Sequence, residues 1–182
     1  RPLKFVSCSI FSIEAQQIYY LQMKVICLGN YPPRQCGIAT FTKNLVDSIQ
    51  ASVLSSPQQI EIEVVAMNDR DEGYPYPPIV KYCIPDQSRE AYLAAADYIN
   101  SSEASVLLVQ HEFGIFGGNS GIFLLSLLRE IKIPIVCTLH TVLEKPNFHQ
   151  REIIERMAGY ADKLVVMNEI AIPFLTNIYN VH

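Results

Sequence analysis

Two histidines end apolar segments at points where β-branched residues give way abruptly to polar ones. His111 ends the run VLLVQH and is followed by Glu112, while His140 ends the run IPIVCTLH. Near neutral pH an imidazole can donate to or accept from a hydroxyl group, and a carboxylate can accept from one. Buried parallel strands end in this way at the carboxyl edge of an α/β sheet, where such sheets bind ligands. The pattern therefore predicts a ligand site that includes both histidines and Glu112.

Glycines follow the predicted strand that ends at His111, and another lies in the first turn. Gly37 closes the turn YPPRQCG directly before a helical pattern, so free N–H groups of a helix N-terminus could meet an anion there. Gly117 and Gly118 follow Glu112 and would let a ligand approach the backbone. A purely structural explanation stays open for each residue: the glycines could serve tight turns and helix packing, and the histidines could bond to neighbouring loop groups.

The sequence lacks the patterns that are typical of several other binding sites and catalytic mechanisms. The first turn has neither the GxGxxG pattern of dinucleotide-binding folds nor the lysine motif of a P-loop. No histidine spacing typical of zinc and no Ser-His-Asp order stands out. Asp69 and Asp71 could hold a divalent cation, but this pattern is more typical of a solvated loop. We predict no metal and no cofactor.

Composition limits the class of protein. The 182 residues are 49% hydrophobic and 18% charged, with a net charge of −4, which is typical of a globular chain and unlike a nucleic-acid-binding surface. No apolar run reaches the roughly 18 residues of a transmembrane span. The five cysteines include no CxxC pair, which favours a reducing, cytoplasmic location. Cys27, Cys83 and Cys137 lie in apolar runs and are predicted to be buried.

Strand and helix patterns alternate from Met23 onward, after an N-terminal extension, residues 1–22, of unknown role. This alternation predicts one α/β domain over residues 23–182, with a Rossmann-like parallel sheet and helices on both faces. Strands are predicted at 24–28, 60–66, 79–84, 106–109, 135–139 and 163–167, and helices at 38–53, 88–99, 120–131, 148–160 and 168–178.

Four segments together resemble the N-terminal domain of GT-B-type glycosyltransferases of retaining family 4, also called group 1. They are YPPRQCGIATFTKNL, VQHEFGIFGGNSG, IVCTLHTVLEKP and ADKLVVMNEIA, and the resemblance runs from about Met23 to the end of the chain. Such enzymes move a sugar from a nucleotide-diphosphate sugar to an acceptor hydroxyl with retention, usually without a metal. Similar sequences are often described as mannosyltransferases.

The resemblance also implies roles for individual residues. His140 matches the strand-end histidine that contacts the transferred sugar, and is the expected catalytic residue. Gly37 matches the turn near the donor diphosphate, and His111 with Glu112 matches a His-Glu pair at the cleft edge. The N-terminal domain mostly binds the carbohydrate acceptor, whereas a second Rossmann-like domain holds most of the nucleotide sugar.

The chain contains no pattern for that second, C-terminal donor domain, so we expect these residues to be nearly inactive alone. Two alternatives stay open. One is a non-catalytic carbohydrate-binding or interaction module. The other is a nicotinamide-dependent Rossmann domain, against which the absence of GxGxxG and the residues Met67 and Asn68 at the end of the second strand both argue.

Overall fold

The computed structural model describes residues 22–53 and 59–182, and within them the chain forms a six-stranded parallel sheet. The predicted extension, residues 1–22, lies outside these ranges except for its last residue, with which the first strand begins. The strands are β1 Gln22–Gly29, β2 Gln59–Asn68, β3 Val80–Pro85, β4 Val106–His111, β5 Ile135–Leu139 and β6 Lys163–Val166. The helices are α1 Gly37–Val53, α2 Arg89–Ser101, α3 Leu124–Leu128, α4 Phe148–Tyr160 and α5 Ala171–Ile178.

The strands are arranged in the order β3-β2-β1-β4-β5-β6, and every neighbouring pair is parallel. This confirms the predicted α/β, Rossmann-like fold. The chain builds the sheet outward from β1 in one direction and then returns to build outward from β1 in the other. The switch between these directions lies between β1 and β4, and a crevice at the carboxyl ends of two such strands is where open α/β sheets bind ligands.

Alternate residues of each strand enter two separate cores, one on each face of the sheet. On β1, Val25 and Cys27 face the core under α1, whereas Ile26 and Leu28 face a larger core that includes residues of α2, α3 and α4. Because successive side chains of a strand point to opposite faces, a strand buried on both faces is apolar throughout. Helices therefore cover both faces, as the alternation of patterns predicted.

The predicted helix over residues 120–131 is wrong in its extent. A single 3₁₀ turn, Asn119–Gly121, comes first, and the α-helix covers only Leu124–Leu128. Ser120 has φ 56° and Gly121 has φ 90°, in the left-handed region that a right-handed helix cannot include. The apolar sequence is buried as expected, but its first residues form a turn.

The prediction that Cys83 is buried is also wrong. Cys27 and Cys137 lie on the inner strands β1 and β5, where burial raises the pKa of each thiol to about 12. Cys83 lies on β3, an edge strand, and its side chain is exposed. An edge strand has one neighbour and less cover, so the same apolar pattern gives a different environment.

The described residues offer neither a membrane span nor a clustered metal site. None of the helices there is long and apolar enough to cross a bilayer. Within the same ranges, no group of three or more His, Cys, Asp or Glu side chains is arranged to hold a metal ion. Asp69 instead forms an ion pair with Arg34 at 3.0 Å and accepts a hydrogen bond from the Tyr74 hydroxyl.

Candidate functional site

His140 directly follows β5 and lies on the α1 side of the sheet. Its Nε2 is 3.0 Å from Oε1 of Gln110 on β4, and its ring meets the edge of the Phe41 ring with centroids 4.6 Å apart. Burial lowers the pKa of His140, an effect that the negative charge of Glu112 opposes. The imidazole is therefore neutral at pH 7. With Gln110 Oε1 as the acceptor, the proton lies on Nε2 and Nδ1 is left to accept from a hydroxyl.

A small cavity opens beside His140 at the carboxyl ends of β5 and β6. Its volume is about 120 Å³, and its walls include Met167, Asn168 and Ile170. Met167 and Ile170 are exposed apolar side chains. The half-buried imidazole thus lies between the buried Gln110 amide and an open, partly apolar pocket. Such surroundings are suitable for binding one side of a small polyol.

Glu112 joins the loops that follow β4 and β5. Its Oε2 accepts a hydrogen bond of 2.5 Å from the Thr141 hydroxyl, and its Oε1 accepts one from the Phe113 backbone N–H at 2.9 Å. Each carboxylate oxygen has a second lone pair, so Glu112 can hold this geometry and still accept from a ligand hydroxyl. Its position beside Thr141 brings it to the same edge as His140.

His111 lies on the opposite face of the sheet from His140. Its ring is fully buried between Phe113, at a centroid distance of 5.0 Å, and Phe116, at 6.1 Å. Neither ring nitrogen has a hydrogen-bond partner among the described residues. Burial, with a smaller effect of His140, lowers the pKa of His111 to about 3. In this arrangement His111 presents no atom to solvent, and its contact with a ligand stays a prediction.

The parity of the strands explains why the two histidines separate. His111 continues the series Leu107 and Val109, which faces the larger core, and in the parallel register it pairs with Leu139. His140 comes one residue after Leu139, the last residue of β5, so it points to the other face. Both histidines stand at strand ends as predicted, but only His140 faces open space.

Gly37 begins α1, as predicted, at the end of the first turn. Phe41, one helical turn later, is the residue that contacts His140, so the N-terminus of α1 and His140 lie at the same edge. A Cβ built on Gly37 would meet no atom within 4 Å. Gly37 is exposed, and with the Ala39 N–H already bonded to the Cys36 sulfur, the N–H groups of Gly37 and Ile38 are the ones that can meet an anion.

Asn30 and Cys36 fix the conformation of that turn. The fully buried Asn30 donates from Nδ2 to the Cys36 sulfur at 3.2 Å, and its Oδ1 accepts from Arg34 at 2.9 Å. The same sulfur accepts from the Ala39 N–H at 3.3 Å, and so takes the place of a helix cap. Cys36 is thus explained by its role in the turn.

A larger cavity lies between this turn and the loop that follows β2. Its volume is about 640 Å³, and two guanidinium groups, Arg34 and Arg70, stand on its walls. Arg34 is held by Asp69, whereas Arg70 lies over the Tyr74 ring, 4.5 Å from its centroid. Beside the N-terminus of α1, these groups make the carboxyl edge near β1 suitable for a phosphorylated ligand.

Gly117 and Gly118 pack the loop after β4 against the loop that follows β3. A Cβ on Gly117 would overlap the carbonyl oxygen of Asp86, and the Gly117 N–H donates to the Tyr92 hydroxyl at 2.7 Å. Gly118 has φ 75°, which favours glycine. Atoms of the protein itself thus pack closely against these two glycines. A substrate contact at either residue stays a prediction.

Sequence reasoning missed Gln110, Asn30 and Phe41. Gln110 and Asn30 are polar residues at or just past the ends of inner strands, and the structure buries both almost completely. A polar residue inside an otherwise apolar strand is a readable signal, because burying it without a partner is costly. Phe41 gave no such signal, since an aromatic residue at helical spacing is ordinary core.

No protein-family model and no curated protein matches the chain. Similar solved structures include the crystal structures of S. aureus homoserine dehydrogenase at pH 7.0 and at pH 6.0, with TM-scores of 0.43 and 0.44. Each is 10% identical in sequence, and the match covers 80% of this chain and 32% of that one, so the chain spans about a third of their length. At this level of similarity neither an activity nor a ligand is transferred.

Proposed function

We propose that this chain is one Rossmann-like domain of a retaining glycosyltransferase that uses a nucleotide-diphosphate sugar. The observation that carries the proposal is the position of His140. A neutral imidazole, oriented by Gln110, stands at the same sheet edge as the N-terminus of α1, and Phe41 joins the two. A nucleotide sugar needs a hydrogen-bonding group for its sugar hydroxyls, here the imidazole, close to an anion-binding group for its diphosphate, here the N-terminus of α1.

Each residue of the edge has a part in the proposed reaction. His140 accepts a hydroxyl proton of the transferred sugar in a hydrogen bond and so orients the sugar toward the acceptor. Gly37 leaves the N–H groups of α1 open to the diphosphate, whose charge Arg34 and Arg70 also attract. Glu112 accepts from hydroxyls of the acceptor, and it keeps the two loops in register through Thr141.

Transfer of the sugar needs donor and acceptor in one dry cleft. This chain provides one side of such a cleft, and the resemblance assigns most of the donor contacts to a second domain. We therefore expect the 182 residues alone to bind a nucleotide sugar weakly, in the millimolar range, and to show little turnover.

Binding of a nicotinamide cofactor is a second candidate, because the strand order β3-β2-β1-β4-β5-β6 is that of dinucleotide-binding folds. The residues of the site favour a nicotinamide cofactor less than they favour a nucleotide sugar. Such folds usually end β2 with an acidic side chain that binds the ribose, whereas here β2 ends with Asn68, whose Nδ2 donates to the Arg70 carbonyl at 2.7 Å.

Ligand-detected NMR can separate the two candidates directly. Saturation-transfer spectra would be recorded for GDP-mannose, UDP-glucose, NADH and NADPH at equal concentrations, together with adenosine as a nucleoside control. We expect saturation transfer to at least one nucleotide sugar, with its sugar protons included, and none above the adenosine level to either dinucleotide. Transfer to NADH or NADPH alone would favour the oxidoreductase. Transfer to none would contradict a nucleotide site.

A further inference from the structure

A second polar cavity lies away from the carboxyl-edge site, between α2, α3 and α4. Its volume is about 210 Å³, and it is lined by three arginines, Arg89, Arg129 and Arg156, together with Ser126 and the apolar side chains of Phe123 and Leu125. None of these residues belongs to the candidate site. Each arginine comes from a different part of the helix layer: the start of α2, the end of α3 and the middle of α4.

Arg89 is oriented by a neutral partner. Its Nε donates to the Ser126 hydroxyl at 3.1 Å, and Ser126 is buried. Across residues 22–53 and 59–182, no carboxylate lies within ion-pair distance of Arg89. The bond to Ser126 fixes the plane of the guanidinium and leaves its two Nη groups to donate elsewhere.

The other two arginines have carboxylate partners, and each retains unused donors. Arg129 Nε is 2.8 Å from Glu130, and Arg156 Nη1 is 3.2 Å from Glu152. All four of these side chains are at least 32% exposed, so the pairs are the weak kind found at surfaces. The cavity thus collects three positive charges against two partly solvated carboxylates.

We propose that this cavity binds a phosphate group through Arg89, Arg129 and Arg156. Three guanidinium groups that line one cavity carry like charges, and an oxyanion bound among them would offset their repulsion. A planar guanidinium fork matches two oxygens at a time, so three forks match the three or four oxygens of a tetrahedral phosphate better than the two of a carboxylate. Free phosphate and a phosphate ester share this chemistry.

The test measures phosphate binding by isothermal titration and by amide NMR at constant ionic strength, with chloride as the reference anion. Inorganic phosphate and phenyl phosphate would be the probes. We expect saturable binding of at least one, with shifts at the residues around Ser126. Tighter binding of phenyl phosphate assigns the site to an ester, because Phe123 and Leu125 can cover its ring, and equal binding assigns it to the free ion.

Arg89→Gln is the decisive variant, and Arg151→Gln is its matched control. Arg151 lies on α4 like Arg156, but it pairs with Glu155 at 2.7 Å and does not line the cavity. We expect Arg89→Gln to weaken phosphate binding about tenfold or more, as loss of a charged hydrogen-bond donor does, and Arg151→Gln to leave it unchanged. Arg89→Lys, which keeps the charge but not the fork, should fold normally and also bind more weakly.

Three results would overturn the proposal. The first is equal affinity in Arg89→Gln, Arg89→Lys and the unmodified protein. The second is an equal response to chloride. The third is NMR shifts confined to the turn around Arg34 and Arg70, which would place the phosphate at the carboxyl-edge site and leave the three-arginine cavity without a ligand. Because the two sites share no lining residue, failure here leaves the proposed function untouched.

Discussion

Gln110 Oε1 lies 3.0 Å from His140 Nε2, across the neighbouring strands β4 and β5. Gln110 is 1% exposed, and a Cβ on Gly29 of the adjacent strand would come within 3.1 Å of its own Cβ. The amide is therefore confined between β1 and β5, and the hydrogen bond it makes selects the tautomer of the imidazole. The same hydrogen bond orients the His140 ring at the edge of the sheet, and burial favours its neutral form by lowering its pKa.

Removal of the Gln110 amide should allow the His140 imidazole to exchange between its two neutral tautomers. In Gln110→Leu we expect the His140 ring nitrogens to change from a single Nε2–H tautomer to a mixture, because Leu offers no acceptor. Imidazole ¹⁵N shifts measure this directly. His149, which lies on α4, is the internal control and should keep its ¹⁵N shifts. An unchanged His140 spectrum in Gln110→Leu would show that the amide does not determine the tautomer.

The buried His111 should make the fold sensitive to acid. Its pKa of about 3 lies below the ordinary value of 6.5. Between these two pH values His111 is protonated in the unfolded chain and neutral in the folded chain. The stability contribution is complete above pH 6.5 and is lost as the pH falls from there toward 3. Between pH 7.5 and pH 5 we expect this group to lower the free energy of unfolding by about 2 kcal/mol.

Substitution of His111 tests that assignment. His111→Leu removes both the titration and the two unpartnered nitrogens, so urea unfolding should show a smaller loss of stability between pH 7.5 and pH 5. The exposed His182, replaced by Gln, provides the control and should retain the full pH dependence. If His111→Leu and the unmodified protein lost stability equally on acidification, the buried ring would be accessible to protons in the folded state.

Gly117→Ala should be strongly destabilising. The new methyl group would overlap the Asp86 carbonyl oxygen, a backbone atom that cannot move without shifting the loop before α2. We expect a loss of about 2–3 kcal/mol, as for other overpacked sites. Gly114→Ala is the matched control in the same loop, because nothing lies within 4 Å of its Cβ position, and it should change stability by less than about 0.5 kcal/mol. Thermal unfolding of both variants measures the difference, and equal melting temperatures would contradict the packing.

The parallel sheet could be predicted because its inner strands are apolar on both faces. Runs such as the one ending at His111 and the one ending at His140 leave few alternatives to a strand covered on both sides. The periodicity predicts a helix over residues 120–131 that is too long, because helical spacing does not reveal the positive φ angles of Ser120 and Gly121. The apolar run around Cys83 wrongly predicts burial, because an edge strand and an inner strand can have the same apolar pattern.

The positions of the candidate residues in the fold could be predicted, whereas their contacts could not. The sequence pattern predicts that Glu112 and His140 follow strand ends and that Gly37 begins a helix, and the structure has all three in these positions. The separation of His111 from His140 could have been read from residue parity, since His111 continues the inward series of Leu107 and Val109. The bond between Gln110 and His140 could not, because it depends on the register of two strands whose pairing is set by the whole sheet.

We propose that the carboxyl edge around His140 is a site for a nucleotide-diphosphate sugar. The most direct measurement is an amide and imidazole NMR titration of the 182-residue chain with GDP-mannose and UDP-glucose, repeated in His140→Ala and in His149→Ala as the control. We expect saturable shifts at Gly37, Glu112 and His140, with the Gly37 and Glu112 shifts lost in His140→Ala and all three kept in His149→Ala. Shifts that avoid these three residues, or that persist fully in His140→Ala, would contradict it.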